Sequence, residues 1–148
     1  MSHTRRSAVL TLEGAGAALA AALAHATEHG LRMNIAVVDT GGALLTFARM
    51  DGAFAHSGPI AIDKACTSVG FGGAPTAGLY EALAAEDAVI RGIGNRPGVA
   101  AFGGGVPITV DGELVGAIGA SGGSAEEDEQ VAAAGAAAVV TGPLPDNV

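Results

Sequence analysis

Small apolar residues recur at three- and four-residue spacing near the start of the chain, which predicts a helix from Thr11 to His29. Thr11 is a suitable N-cap because its hydroxyl can accept a hydrogen bond from a first-turn N–H, and Gly30 stands where helices commonly end. Two strand patterns follow, over Asn34–Asp39 and Ala43–Arg49. The second alternates only loosely, which predicts that both of its faces are covered.

The middle of the chain carries helix signals that glycine and proline interrupt. Pro59 suits the first turn of a helix over residues 58–71. Thr76 is predicted to cap a short third helix that runs to Glu86. Several glycines and a proline between Ala88 and Phe102 would break any long element, so an irregular connection is predicted there.

A second hairpin is predicted from strands over Val106–Val110 and Leu114–Ser121, joined by the tight-turn pair Asp-Gly. Ser124 and Glu127 form a capping-box pattern that opens a last helix, expected to end near Thr141.

The order of elements is helix, hairpin, two helices, hairpin, helix, and no change of composition marks a linker. The 148 residues are therefore predicted to form a single α+β domain, with loose tails at 1–9 and 142–148. Two hairpins can merge into one antiparallel sheet flanked by helices that cover its faces.

The amino-acid composition limits the classes of molecule that the protein is expected to bind. The net charge of −8 argues against nucleic-acid binding, which needs a basic surface. Aromatic residues make up only 3%, so Ala, Val, Leu and Ile must build the core, and we expect a homo-oligomer to bury what one subunit leaves exposed. Cys66 is the only cysteine and fits a reducing cytoplasm. Neither a signal peptide nor a membrane span is predicted.

Three consecutive motifs carry a family resemblance: SGPIAIDKACTSVGFGGAPTAGL, GGGVPI and GELVGAIGASGGSAEEDE. Together they resemble the GlcG/HbpS-like family, also called the haem-degrading domain family, over roughly residues 10–138. The chain is similar as well to the C-terminal domain of PduO-type corrinoid adenosyltransferases. The resemblance implies a profilin-like antiparallel sheet with helices on both faces, assembly from dimers to octamers, and haem or another tetrapyrrole as a possible ligand.

Lys64 matches the lysine of the family's K-A-x-T pattern and is a candidate catalytic or anion-binding residue, because an amine among apolar neighbours has a lowered pKa. The alternative is an ion pair with an acidic residue of another helix. Asp128 is a candidate proton carrier that faces either a pocket or a lysine such as Lys64. Glu127 is most simply the capping-box residue.

His56 precedes the second helix and is a candidate general base, metal ligand or axial haem ligand, with a solvated loop histidine as the alternative. Tyr80 is a candidate haem ligand or proton donor, or else a residue at the edge of the core. His25 and His29 share a helix face, but a third metal ligand is missing.

Arg49 ends the second strand and can clamp a carboxylate or a propionate. The alternatives are an ion pair with Asp51 and an ion pair across a subunit interface. Close approach of a ligand to backbone amides is expected at three further positions: Gly104, Gly105 and Ser121. Cys66 is expected to behave as a small buried apolar residue. A nucleophilic role would need a positive neighbour that lowers the pKa of its thiol.

Two functions follow from these residues, and an accessory or scaffold subunit without activity is the third possibility. The first is a small oligomeric binding protein for haem or a related tetrapyrrole, with Lys64 and Arg49 anchoring propionates and His56 or Tyr80 on the metal. The second is a cofactor-independent enzyme for a small organic acid or carbonyl compound, in which His56 or Asp128 moves a proton. Isomerisation, hydration or elimination suits the second better than redox chemistry, because no nicotinamide or flavin motif is present.

Overall fold

The computed structural model describes residues 1–140, so the predicted tail at 142–148 and the expected helix end at Thr141 lie outside the described residues. The helices and strands are α1 Leu12–Glu28, β1 Asn34–Asp39, β2 Leu44–Arg49, α2 Ser57–Gly70, α3 Leu79–Ala84, α4 Asp87–Gly94, β3 Gly105–Val110, β4 Glu113–Ser121 and α5 Ala125–Ala137. Residues 1–9 are exposed and form no helix or strand.

The two hairpins join into one four-stranded antiparallel sheet in the order β2-β1-β4-β3. The pairing of β1 with β4 runs without a break from Asn34 opposite Ser121 to Asp39 opposite Gly116. Asp111 and Gly112 both have positive φ, at 51° and 77°, which is the backbone of a tight two-residue hairpin turn. The α+β fold with one antiparallel sheet is therefore confirmed.

Helices cover both faces of this sheet. α1 and α5 pack against each other and against one face, where alanines at Ala15, Ala18, Ala22 and Ala26 form the buried stripe of α1. α2 packs on the other face, against β1, β4 and β3. No helix of the described chain is both long and apolar enough to cross a membrane.

Alternation along a strand is a poor guide to which strand is central. The loosely alternating β2 was predicted to be covered on both faces, but it is an edge strand with exposed Leu44, Phe47 and Arg49. The doubly covered strands are β1 and most of β4, because α2 and the α1/α5 pair sandwich the middle of the sheet. The prediction for β2 is therefore wrong.

The connection between α2 and β3 is more regular than predicted. Residues 88–102 were expected to be irregular, but Asp87–Gly94 forms α4, with Gly92 inside the helix and Gly94 as its last residue. Thr76 does not cap α3; Gly78 holds that position with φ 78°. The Thr76 hydroxyl instead accepts a hydrogen bond from the Gly105 N–H at 2.8 Å, which ties this connection to the start of β3.

Candidate functional site

A buried ion pair joins α2 to α5, the helices that pack on opposite faces of the sheet. The Lys64 Nζ donates to Asp128 Oδ2 at 2.7 Å and to the Ala120 carbonyl at 3.0 Å. The Gly123 N–H donates to the other carboxylate oxygen, Oδ1, at 2.8 Å. The structure shows Lys64 in an ion pair with Asp128, which was the alternative to a catalytic or anion-binding role.

Glycines make room for this pair. A methyl group on Gly104 would lie 2.6 Å from the Lys64 Nζ and 2.6 Å from the Ala120 carbonyl oxygen, so only glycine fits there. Gly105 lies equally close to the backbone of α2 at Lys64. The glycine run that was expected to expose amides to a ligand therefore allows close packing between α2 and the sheet.

Burial shifts the proton affinities of both members of the pair. Loss of hydration lowers the pKa of the Lys64 ammonium, and Asp128 opposes this shift as hydrogen-bond acceptor and counter-charge. Burial likewise raises the pKa of the Asp128 carboxyl, opposed by Lys64 and by backbone N–H groups. The pair is fully desolvated, since the Lys64 side chain has 0% exposure and the Asp128 side chain 5%.

Phe102 separates the ammonium of Lys64 from an open cleft. The Lys64 Nζ lies 4.9 Å from the centre of the Phe102 ring, within cation–π range. The ring is 49% exposed, so one side faces the buried pair and the remainder contacts solvent.

The cleft on the outer side of Phe102 has a volume of about 470 Å³. Its walls combine apolar residues with a few polar groups: Tyr80, Asp87, Ile90, Arg91, Gly94, Asn95, Val99, Ala101 and Phe102. Arg91 donates from Nε to both oxygens of Asp87 at 2.9 Å, and both side chains are exposed. An apolar pocket with a few convergent polar groups is the usual form of a small-molecule site.

The structure brings only some of the predicted residues to this cleft. Tyr80 lies on its wall, and Lys64 with Asp128 lies directly behind it. Gly104, Gly105 and Ser121 are buried around the pair rather than open to a ligand.

His56 and Arg49 lie elsewhere, outside the cleft walls. His56 occupies the N-cap position of α2, is exposed, and makes no capping hydrogen bond with its side chain. Arg49 is exposed at the end of β2 and, among residues 1–140, forms no salt bridge, so the alternative Arg49–Asp51 pair is not formed. Asp51 instead lines a second cleft, of about 480 Å³, together with Arg32.

The remaining candidates have structural explanations. His25 and His29 stack with ring centres 4.1 Å apart, and within residues 1–140 no group of three His, Cys, Asp or Glu side chains could hold a metal ion. Burial, Asp63 and Asp39 raise the pKa of the half-buried Cys66 thiol, which makes it a poor nucleophile.

Comparison with known proteins matches residues 10–137 to a family model described as haem degrading protein HbpS-like. The chain belongs to the HbpS-like family. It is 34% identical over 133 residues to a 15.0 kDa protein of Citrobacter freundii from the dhaT-dhaS intergenic region, covering 85% of this chain and 89% of that protein.

Solved structures agree with the family assignment. A double mutant of HbpS from Streptomyces reticuli is 38% identical, with a TM-score of 0.81 over 93% of this chain and 91% of its own. A complex of PduOC with heme is 27% identical, with a TM-score of 0.79 over 89% of this chain and 96% of its own.

Sequence reasoning missed Phe102 and α4, which form much of the cleft. Phe102 was assigned to an irregular connection, so nothing drew attention to its ring. The available signal was the amphipathic order of AVIRGI, in which Val89, Ile90 and Ile93 fall at one- to four-residue spacing around Arg91. These three apolar side chains are half-buried in α4.

Proposed function

We propose that this HbpS-like protein binds haem or a related tetrapyrrole in the cleft between Phe102 and α4. The family description and the PduOC–heme complex support the ligand class. The observation that carries the proposal is the position of Tyr80, a metal-ligating residue type, on the wall of an otherwise mainly apolar cleft.

The side chains that line the cleft are of the chemical types that bind a porphyrin. Ile90, Val99 and Phe102 offer apolar surface to the ring faces, while Arg91 is suited to a propionate. The chain has only four Phe and one Tyr, and two of these five rings line this cleft. Although the chain has few aromatic residues, the cleft therefore contains two aromatic rings that can contact a porphyrin.

In this proposal Tyr80 would hold the iron through its phenolic oxygen, and haem would supply redox-active iron when bound. Lys64 would not reach a propionate, since its ammonium is satisfied by Asp128 and Ala120 behind Phe102. His56 remains the competing axial ligand, at an exposed site outside the cleft.

Hemin titration of the purified protein, followed by absorbance, tests the proposal against this competitor. We expect a saturable, shifted Soret band that Tyr80→Phe abolishes or shifts and that His56→Ala leaves unchanged. Tyr80→Phe removes only the phenolic oxygen of a side chain that is 56% exposed, so the fold is retained. A band lost in His56→Ala alone would move the site to the α2 N-terminus, and absence of a saturable band would reject haem.

A second candidate function, a cofactor-independent enzyme, draws support from the buried Lys64–Asp128 pair. Desolvated pairs with shifted pKa values beside a cleft are typical of active sites as well as of structural ion pairs. Such an enzyme would require the Phe102 ring to move aside so that Lys64 meets the substrate. Turnover of small carbonyl acids by the wild type, lost in Asp128→Asn, would support it.

We also propose that the protein is a cytoplasmic homo-oligomer. The lone Cys66 and the alanine-rich core support this, together with three exposed apolar side chains at or near the β2 edge: Leu44, Phe47 and Phe54.

A further inference from the structure

The backbone on both sides of Phe102 is held in place by hydrogen bonds. Before it, the Ala100 N–H donates to the Thr67 hydroxyl at 2.9 Å, and that hydroxyl donates to the Gly98 carbonyl at 3.2 Å. After it, the Ala120 N–H donates to the Gly104 carbonyl at 2.9 Å. The backbone that carries the ring is therefore anchored to α2 and to β4.

The inner side of the ring is occupied as well. The Lys64 ammonium, which lies 4.9 Å from the ring centre, is itself fixed by Asp128 and the Ala120 carbonyl. A cation over an aromatic face attracts the electrons of the ring, so this contact favours one ring orientation. The ring is thus presented to the cleft as a fixed flat surface.

Across the cleft, the other walls match a ligand that is flat, apolar on its faces and anionic at its rim. Ile90 and Val99 are half-buried apolar residues, whereas Arg91 and Asn95 are exposed polar ones. Asp87 lines the same margin and, within residues 1–140, binds only the Nε–H of Arg91, so the terminal NH2 groups of the guanidinium can still meet a carboxylate. A cleft with an aromatic wall and such an arginine suits a conjugated ring system carrying carboxylates.

We propose that Phe102 is the specificity-determining residue of the cleft, a stacking surface that selects flat conjugated anions over other apolar ligands. This inference rests on the proposed function only for the location of the site. It requires neither iron nor Tyr80 as a ligand, because stacking acts on the ring system itself.

Metal-free protoporphyrin IX is the probe that separates stacking from iron ligation, with binding followed by its fluorescence. We expect the non-aromatic variants Phe102→Leu and Phe102→Met to bind it about tenfold more weakly than wild type, the scale of one aromatic stacking contact. The aromatic variants Phe102→Tyr and Phe102→Trp should retain binding within about threefold. Phe54→Leu is the matched control, since Phe54 is 69% exposed and lies outside the cleft.

The outcomes distinguish this inference from haem binding. The inference is overturned if Phe102→Leu binds protoporphyrin as tightly as the wild type. It is also overturned if the aromatic and non-aromatic variants lose affinity equally, or if the wild type does not bind. Loss in Phe54→Leu alone would move the ring contact to the His56 loop and overturn it too. The two proposals can fail separately. Hemin binding that Tyr80→Phe does not alter rejects the iron ligand, whereas protoporphyrin binding that falls only in the non-aromatic Phe102 variants keeps the stacking surface.

Discussion

Lys64 is the largest side chain that is fully buried among the described residues, and it carries a charge. Burying an ammonium is costly unless a counter-ion and hydrogen bonds replace its hydration, as Asp128 and the Ala120 carbonyl do here. The pair therefore contributes little net stability as a whole, while each member depends strongly on the other.

This dependence predicts an asymmetry between single and double substitutions. Lys64→Met leaves the Asp128 carboxylate buried without its partner and should lower the free energy of unfolding by about 3–5 kcal/mol near neutral pH. Lys64→Met with Asp128→Asn removes both charges, keeps an acceptor for the Gly123 N–H, and should recover most of that loss. Urea denaturation of the three proteins measures this, and a double variant as unstable as the single one would contradict it.

The loss in Lys64→Met should also depend on pH. Without Lys64, burial raises the pKa of Asp128 further above its unfolded value, because the opposing contributions of the lysine disappear. A raised folded-state pKa means that stability is complete below the unfolded pKa and declines as the pH rises through the folded one. The stability gap between Lys64→Met and the double variant should therefore widen as the pH rises above the ordinary pKa of an aspartate, and a constant gap would exclude Asp128 as its source.

Individual residues differ in how far sequence determines their surroundings. The Ser124–Glu127 capping box was predicted and is present with both of its hydrogen bonds, because its partners lie three residues apart in one helix. Lys64 and Asp128 were recognised separately, but they are 64 positions apart in the chain. Their contact depends on how α2 and α5 pack.

At the scale of elements, α2 lies on the sheet at the distance that glycine permits. A Cβ atom on Gly119 of β4 would collide with the Ala61 carbonyl oxygen and would lie 2.8 Å from the Ala65 N–H nitrogen. Both are backbone atoms of α2, which cannot rotate away as a side chain would. This close approach places Lys64 within reach of Ala120.

Gly119→Ala is therefore expected to destabilise the protein by about 1–3 kcal/mol, the range for overpacking a filled core. Thermal unfolding followed by circular dichroism measures the effect. Gly92→Ala is the matched control, because Gly92 lies in α4 with open space around its Cα and alanine favours helix. An unchanged melting temperature for Gly119→Ala would mean that α2 can shift away without cost.

The helix α4 shows where local signals were insufficient. Four glycine and proline residues in 88–102 suggested an irregular segment, yet Gly92 is accommodated inside α4. A single helical glycine costs only about 1 kcal/mol relative to alanine, which other contacts readily offset. The contacts of α4 with α3 are tertiary, so the segment itself does not reveal them.

At the scale of the whole molecule, β2 is an edge strand of the sheet formed by residues 1–140, and apolar side chains lie beside it. Leu44 is 49% exposed, and Phe54 near the same edge is 69% exposed. Exposed strand edges and apolar patches are where chains of one kind associate. This is the surface on which we expect the homo-oligomer to form.

Light scattering coupled to size-exclusion chromatography should find the wild type as an oligomer and Phe47→Glu shifted toward the monomer, because the glutamate would be buried without a partner. Leu12→Glu is the control, since Leu12 is exposed on α1, on the opposite side of the sheet from α2. A monomeric wild type, or equal dissociation by both variants, would contradict assembly through β2.

The sequence by itself determined the strands, the hairpin turns, the first, second and last helices, the α+β class and the family, because these depend on periodicity, caps and contiguous motifs. Tertiary structure alone decided which strand is central and that Phe102 stands between Lys64 and a cleft. It also decided that the glycine run packs against α2 rather than opening to a ligand. Such features depend on contacts between residues far apart in the chain, and no local pattern encodes those contacts.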